Sequence, residues 1–202
     1  MEKIMLLQKN ASVIDANGEQ VGSLERVVLN PESRLVTDIV IRTGTLFNKT
    51  EKVVPVGDIV ETDENQVVLN QAAEELESFP PLEERRIVET EQKPTVITGA
   101  PGFYGPVVMP SASEQVFTQA EQNIPDGTVA MKEGAKVITA DGKYVGNVER
   151  VLADASVDQA TNLEISKGVF TKEWRLIPMK WVTSLDEDMV HLRVTEASLD
   201  DE

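Results

Sequence analysis

The feature that most limits what this chain can fold into is that it carries the same passage twice. Residues 13–28 (VIDANGEQVGSLERVV) return 124 positions later as residues 137–152 (VITADGKYVGNVERVL), with nine of the sixteen positions identical. The identities are Val13/Val137, Ile14/Ile138, Ala16/Ala140, Gly18/Gly142, Val21/Val145, Gly22/Gly146, Glu25/Glu149, Arg26/Arg150 and Val27/Val151. The register holds to Gly44/Gly168 and then slips by one, so that Val54-Pro55 matches Ile177-Pro178 and Asp63-Glu64-Asn65 matches Asp186-Glu187-Asp188. The copies span roughly 9–70 and 133–195. Solenoids stack several repeats of about 20–50 residues, so two long copies predict tandem domains, each near the lower size at which a domain folds alone.

Within each copy the signals are those of short strands and tight turns. Asn17-Gly18 and Asp141-Gly142 lie between apolar runs, where such dipeptides favour two-residue type I′ hairpin turns. Gly22 and Gly146 fall inside the returning strand, which marks a bulge or bend, or a close backbone approach. Leu35–Ile41 alternates, as a strand with one wet face does. Pro55 and Pro178 each close an apolar run, and proline belongs at a strand end because it has no N–H for a ladder. Aromatic residues make up only 4% of the chain, so the core is built from Val, Ile and Leu. The expected fold is mainly all-β, two small antiparallel β-barrels of five to six strands each, with at most short helices.

The order of these signals resembles the PRC-barrel family, the module found in the H subunit of the photosynthetic reaction centre and in a ribosome small-subunit maturation factor. The residues that carry the resemblance are Gly18, Gly22, Gly44 and Pro55 in the first copy and Gly142, Gly146, Gly168 and Pro178 in the second, with the Glu-Arg-Val continuation in both. The resemblance covers both repeats and implies a non-catalytic adaptor barrel that docks onto larger assemblies. It names no partner, since fold analogy alone cannot. On this reading the chain divides into a first barrel (1–70), a Pro-rich acidic linker (71–131), a second barrel (132–196) and an acidic tail (197–202).

The linker region holds seven of the ten prolines, and from residue 70 to 131 carries three basic against ten acidic residues. Asn70 is placed to cap a helix over Gln71–Phe79 that Pro80-Pro81 stops, with Leu76 and Phe79 turned towards a barrel. Further on, Phe103 and Tyr104 sit among glycines and prolines, as a docking segment or as aromatics resting on a neighbouring barrel. A Pro-rich spacer of this kind would keep two acidic barrels apart.

Catalytic and metal-binding patterns are sparse. The sole histidine, His191, falls where the first copy has Val68, so it reads as a strand position rather than a base. Asp186-Glu187-Asp188 lacks the glycine and terminal glutamate of a calcium loop and reads as a solvated turn. Asp63-Glu64 and Asp200 to Glu202 read as a turn and a disordered tail. No enzymatic activity, cofactor or metal is expected. Trp174 and Trp181 belong to the second copy alone and are candidate interface anchors. The alternative is a carrier or sensor holding a small apolar ligand in a cleft lined by Trp181, Phe170 and Phe47. A formal net charge of −16 disfavours nucleic acid, and an unknown protein partner or a second copy of the chain is expected instead. No run of about 18 apolar residues exists to span a bilayer, and the absence of cysteine suits a reducing compartment, so the expected location is the cytoplasm.

Overall fold

The computed structural model describes residues 4–45, 48–89, 116–132, 134–168 and 172–200. The chain is mostly β. The first half runs β1 (Ile4–Gln8), β2 (Ser12–Ile14), β3 (Gln20–Leu29), β4 (Val36–Thr45), β5 (Asn48–Pro55), β6 (Ile59–Thr62), β7 (Gln66–Leu69) and α1 (Ala73–Leu76). Next come β8 (Glu83–Glu89) and β9 (Val116–Gln122). The second half runs β10 (Val129–Lys132), β11 (Lys136–Ile138), β12 (Tyr144–Asp154), β13 (Gln159–Lys167), β14 (Glu173–Pro178), β15 (Val182–Leu185), β16 (Met189–Leu192) and α2 (Glu196–Asp200).

Two seven-stranded, barrel-like sheets result, ordered β5-β4-β3-β2-β7-β6 and β14-β13-β12-β11-β16-β15. Pro55 and Pro178 end their strands as expected, and each is followed by one 3₁₀ turn, Val56–Asp58 or Met179–Trp181. That turn is a corner rather than a hairpin, so β5 and β6 run in the same sense. Four reversals then separate β2 from β7, and the two pair in parallel, as do β11 and β16. An all-antiparallel barrel is therefore corrected in one pair per half.

The seventh strand of each sheet comes from the other half. Along one edge, β3 pairs with its own β2 through Gln20, Gly22 and Ser23, and then with β10 through Arg26–Leu29. Reciprocally, β12 pairs with β11 and then with β1, through Arg150–Asp154. The ladders are Met5↔Ala153, Leu6↔Leu152, Leu7↔Val151 and Gln8↔Arg150 on one side, and Val129↔Leu29, Ala130↔Val28, Met131↔Val27 and Lys132↔Arg26 on the other. Displacement by the repeat spacing converts one set into the other. The halves also meet where equivalent residues face each other, at a bridge between Leu35 and Gln159. There Val36 N–H donates to Asp158 O (2.7 Å) and Ala160 N–H to Arg34 O (2.8 Å), with Arg34 and Asp158 both at positive φ (63° and 51°). Equivalent patches in mutual contact are the mark of a two-fold interface, here within one chain.

One hydrophobic core accordingly runs through both copies, including Leu7, Val13, Ile39, Val137, Leu163 and Ile177. The idea of a spacer holding two separate barrels apart gives way to two halves that share a core and exchange strands. The start of the connecting region belongs to the fold: α1 is shorter than expected and begins at Ala73, while Leu76 and Phe79 do pack on the core. By itself, residues 83–122 form a separate unit in which β8 and β9 pair antiparallel from Glu83↔Gln122 to Glu89↔Val116.

The hairpins differ in turn type from expectation. Asp15 N–H donates to Glu19 O (2.9 Å) and Gly18 N–H to Asp15 O (3.0 Å), closing a three-residue loop in which only Gly18 has positive φ (85°). A type I′ turn would need Asn17 there too. The longer loop wins because the Asp15 carboxylate accepts N–H bonds from Asn17 (2.9 Å) and Glu19 (2.8 Å). In the second copy, Thr139 Oγ1 plays that part towards Lys143 N–H (3.1 Å), and only Gly142 is left-handed. At Gly22 and Gly146 both sequence readings hold. Val21 and Val145 are left unopposed in the ladder, a bulge, while an added Cβ would lie 2.4 Å from Arg42 O or 2.7 Å from Ser166 O. Gly44 and Gly168 occupy equivalent places near the ends of β4 and β13, at φ 96° and 108°.

Candidate docking face on the second half

Because the halves are built alike, function peculiar to this chain is best sought where they differ, and the outer edges of β5 and β14 differ most. Their ladders are in equivalent register: Arg42↔Glu51, Ile41↔Lys52 and Val40↔Val53 correspond to Ser166↔Trp174, Ile165↔Arg175 and Glu164↔Leu176. In the first half the chain covers this edge with its own residues 80–82. Val53 N–H donates to Pro80 O (3.0 Å), Leu82 N–H donates to Glu51 O (2.9 Å), and Lys52 bridges Pro81. The Lys52 ammonium holds the approach by donating to Glu77 O (2.9 Å) and Phe79 O (2.7 Å). Leu82 thereby closes a small satellite core with Val28, Val40, Val53 and Ala130, against which Ile124 packs.

Among the described residues, no strand takes that place on β14. Leu176 is 53% exposed where its counterpart Val53 is 4% exposed, and Trp174, standing for Glu51, is 49% exposed. The shared register turns Trp174 C=O and Leu176 N–H to the outer side, as it does Glu51 C=O and Val53 N–H. Trp174 is braced from below: Lys172 Nζ lies 5.2 Å from its ring centroid and 2.9 Å from Glu149 Oε1, and Glu149 also accepts from Ser166 Oγ, the cross-strand neighbour of Trp174. Burial pushes the Glu149 carboxyl up, but Ser166 and Lys172 outweigh it and hold it below its ordinary value, which keeps the brace charged.

The other sequence candidates are placed as follows. Trp181 is half-buried and packs on the shared core, with Lys180 Nζ 6.0 Å from its ring, so it is not part of the β14 face. Phe103, Tyr104, Phe47 and Phe170 lie outside the described residues. Two surface depressions, one lined by Gln20, Arg42 and Lys49 among others and one by Gln8, Asn10 and Glu149 among others, are mainly polar, and neither includes Trp181. His191 sits in β16 beside Ile138, as Val68 sits beside Ile14. Among the described residues, no three acidic or histidine side chains converge as a metal site would need, and no helix is long and apolar enough to cross a membrane.

Sequence reasoning missed two features. Leu176 escaped notice although the register slip aligns it with buried Val53. The acidic turn at 186–188 is more than solvated: Glu187 pairs with Arg26 (3.0 Å) and Lys132 (3.1 Å), Asp188 pairs with Lys132 (3.2 Å), and Arg26 reaches Glu51 (3.2 Å). The cluster ties exchanged strand β10 to both halves. In the equivalent place, Arg150 takes Gln8 Oε1 (2.7 Å) and Glu164 (2.9 Å).

Comparison with known families treats the halves separately. Residues 9–76 match the PRC-barrel domain. Residues 131–200 match a different family, described as an uncharacterized protein conserved in bacteria (DUF2171). No curated protein matches the chain.

Proposed function

We propose that this chain is a non-catalytic binding protein of the cytoplasm, in which two PRC-type barrels, fused and intertwined, present a face for a protein partner. Treating residues 131–200 as a second barrel of that type is supported by equivalent strand order, equivalent ladder registers, the paired close approaches at Gly22 and Gly146, and proline corners at Pro55 and Pro178. The observation that carries the binding role is the difference between β5 and β14: a covered edge in one half and, in the other, an edge bearing exposed Trp174 and Leu176. Open edges with apolar side chains are aggregation hazards that folded proteins usually blunt, so an edge that no strand covers among the described residues suits docking. His191, replaced by Val68 in the other half, supports a reading without acid–base chemistry.

The test is cross-linking mass spectrometry on the full chain in its native cell extract, beside its mass in sedimentation. A specific partner or a homo-oligomer, cross-linked through the second half, is the expected result. A monomer that cross-links to nothing, with full accessibility of both lysines flanking β14, removes the binding role.

A further inference from the structure

The first half supplies a template for what the second half binds. On β5 the occupant is the short stretch Pro80-Pro81-Leu82, which leaves a turn at Glu77-Ser78-Phe79. Three kinds of contact hold it. Backbone bonds join Val53 N–H to Pro80 O and Leu82 N–H to Glu51 O; Leu82 enters an apolar pocket, where it is 1% exposed; and the Lys52 cation takes the carbonyls of Glu77 and Phe79. This is strand addition at a sheet edge, in which backbone bonds supply affinity and alternate side chains supply selectivity.

The backbone groups, the cation and most of the apolar wall have counterparts on β14. Trp174 C=O and Leu176 N–H stand in register with Glu51 C=O and Val53 N–H. Arg175 replaces Lys52, so a cation is retained at the position that in the first half takes the carbonyls. The wall keeps Leu176, with Leu6 and Leu152 half-buried where the first half has Ala130 and Val28, while Val40 is replaced by Glu164, which is paired with Arg150 (2.9 Å). The leucines, with Trp174 at the rim, supply the apolar surface that a partner would cover, and the neutralised Arg150–Glu164 pair lies beside it.

Resting on the binding reading above, we infer that β14 accepts, by antiparallel strand addition, an extended segment of another protein carrying the apolar-Pro-Pro-Leu step that residues 79–82 present to β5. The probe is a synthetic peptide of residues 74–84 (EELESFPPLEE), titrated into the full chain and followed by tryptophan fluorescence and calorimetry. Two changes remove the site without touching the core: Trp174→Glu, which installs the residue the first half carries, and Leu176→Lys. Saturable binding is expected, weakened at least tenfold by either change and by Leu82→Asp in the peptide, and unaltered by Glu61→Gln on remote β6. Equal binding to the wild-type chain and to both variants, binding abolished by Lys52→Glu alone, or no saturation overturns the inference. So does dimerisation of the chain through β14 in sedimentation, which would make a second copy the occupant. If the variants lose the peptide but keep the cross-linked partner of the full chain, the binding reading survives and β14 is not where that partner docks.

Discussion

If β1 belongs to the second half, a cavity made at the extreme N-terminus must weaken the region that holds both tryptophans. Leu7→Ala is the cleanest such change. Leu7 is fully buried, lies opposite Val151 in the exchanged ladder, and sits in the core common to both copies. Truncating a buried leucine costs about 3–5 kcal/mol, the transfer term plus the cavity it leaves. With a urea dependence of about 2–3 kcal/mol/M for a unit of this size, the midpoint should fall by about 1–2 M. Trp174 and Trp181 both report from the second half, more than 160 residues away in sequence, so tryptophan emission is the natural assay, with far-ultraviolet circular dichroism as an independent probe of all strands. Both signals should shift together in one transition. Leu6→Ala, on the half-buried outer side of the same strand, should cost distinctly less. If the tryptophan transition stays put while the dichroism splits into two steps, β1 serves the first half and strand exchange is wrong.

Three further outcomes follow from particular contacts. Gly146→Ala should destabilise by about 2–3 kcal/mol or more, since its Cβ would sit 2.7 Å from Ser166 O at φ 149°, and thermal melting of that variant beside Gly22→Ala measures it. Asp38 is buried in β4 with Oδ2 lacking a hydrogen-bond partner among the described residues, and burial pushes its carboxyl above the ordinary value despite the Thr37 hydroxyl. The folded chain thus holds this proton more tightly than the unfolded one, so its contribution to stability is fullest in acid and declines as pH rises from the ordinary carboxylate value through the raised one. Asp38→Asn, the residue found at the equivalent Asn162, should raise the neutral-pH urea stability by about 1 kcal/mol and flatten its acid-side pH dependence; an unchanged profile would refute the assignment. Glu187→Gln loosens the Arg26–Lys132 cluster at a half-exposed site, so a loss under about 1 kcal/mol that disappears in high salt is expected from melts at two ionic strengths.

Much of each half was legible because its determinants are local. Gly22 and Gly146 announced a close approach, and Pro55 and Pro178 announced strand ends, since backbone sterics at those positions admit few alternatives. The parallel pairing of β2 with β7 was not legible, because it depends on whether the chain turns a corner or a hairpin after Pro55, and apolar alternation is blind to direction. Strand exchange was hidden for a different reason. Ile4–Gln8 and Val129–Lys132 stand at the repeat spacing and share an apolar run ending in a polar residue, but their partners lie beyond the neighbouring turn, and periodicity carries no information about which copy of an edge a strand completes. The β14 face was half legible. Trp174 stood out as an aromatic peculiar to one copy, whereas Leu176 looks ordinary until its counterpart is seen under Leu82.

The central claim is that the halves complete each other within one molecule, and a designed disulfide tests it directly because the chain has no cysteine of its own. Opposite residues of an antiparallel ladder lie about 4.5–5.5 Å apart at Cα, inside the range a disulfide spans. Met5→Cys with Ala153→Cys, and separately Val129→Cys with Leu29→Cys, should each oxidise to a cross-linked monomer and raise the unfolding midpoint. Thiols that remain free under mild oxidation, or that link only between molecules, would contradict strand exchange within the chain.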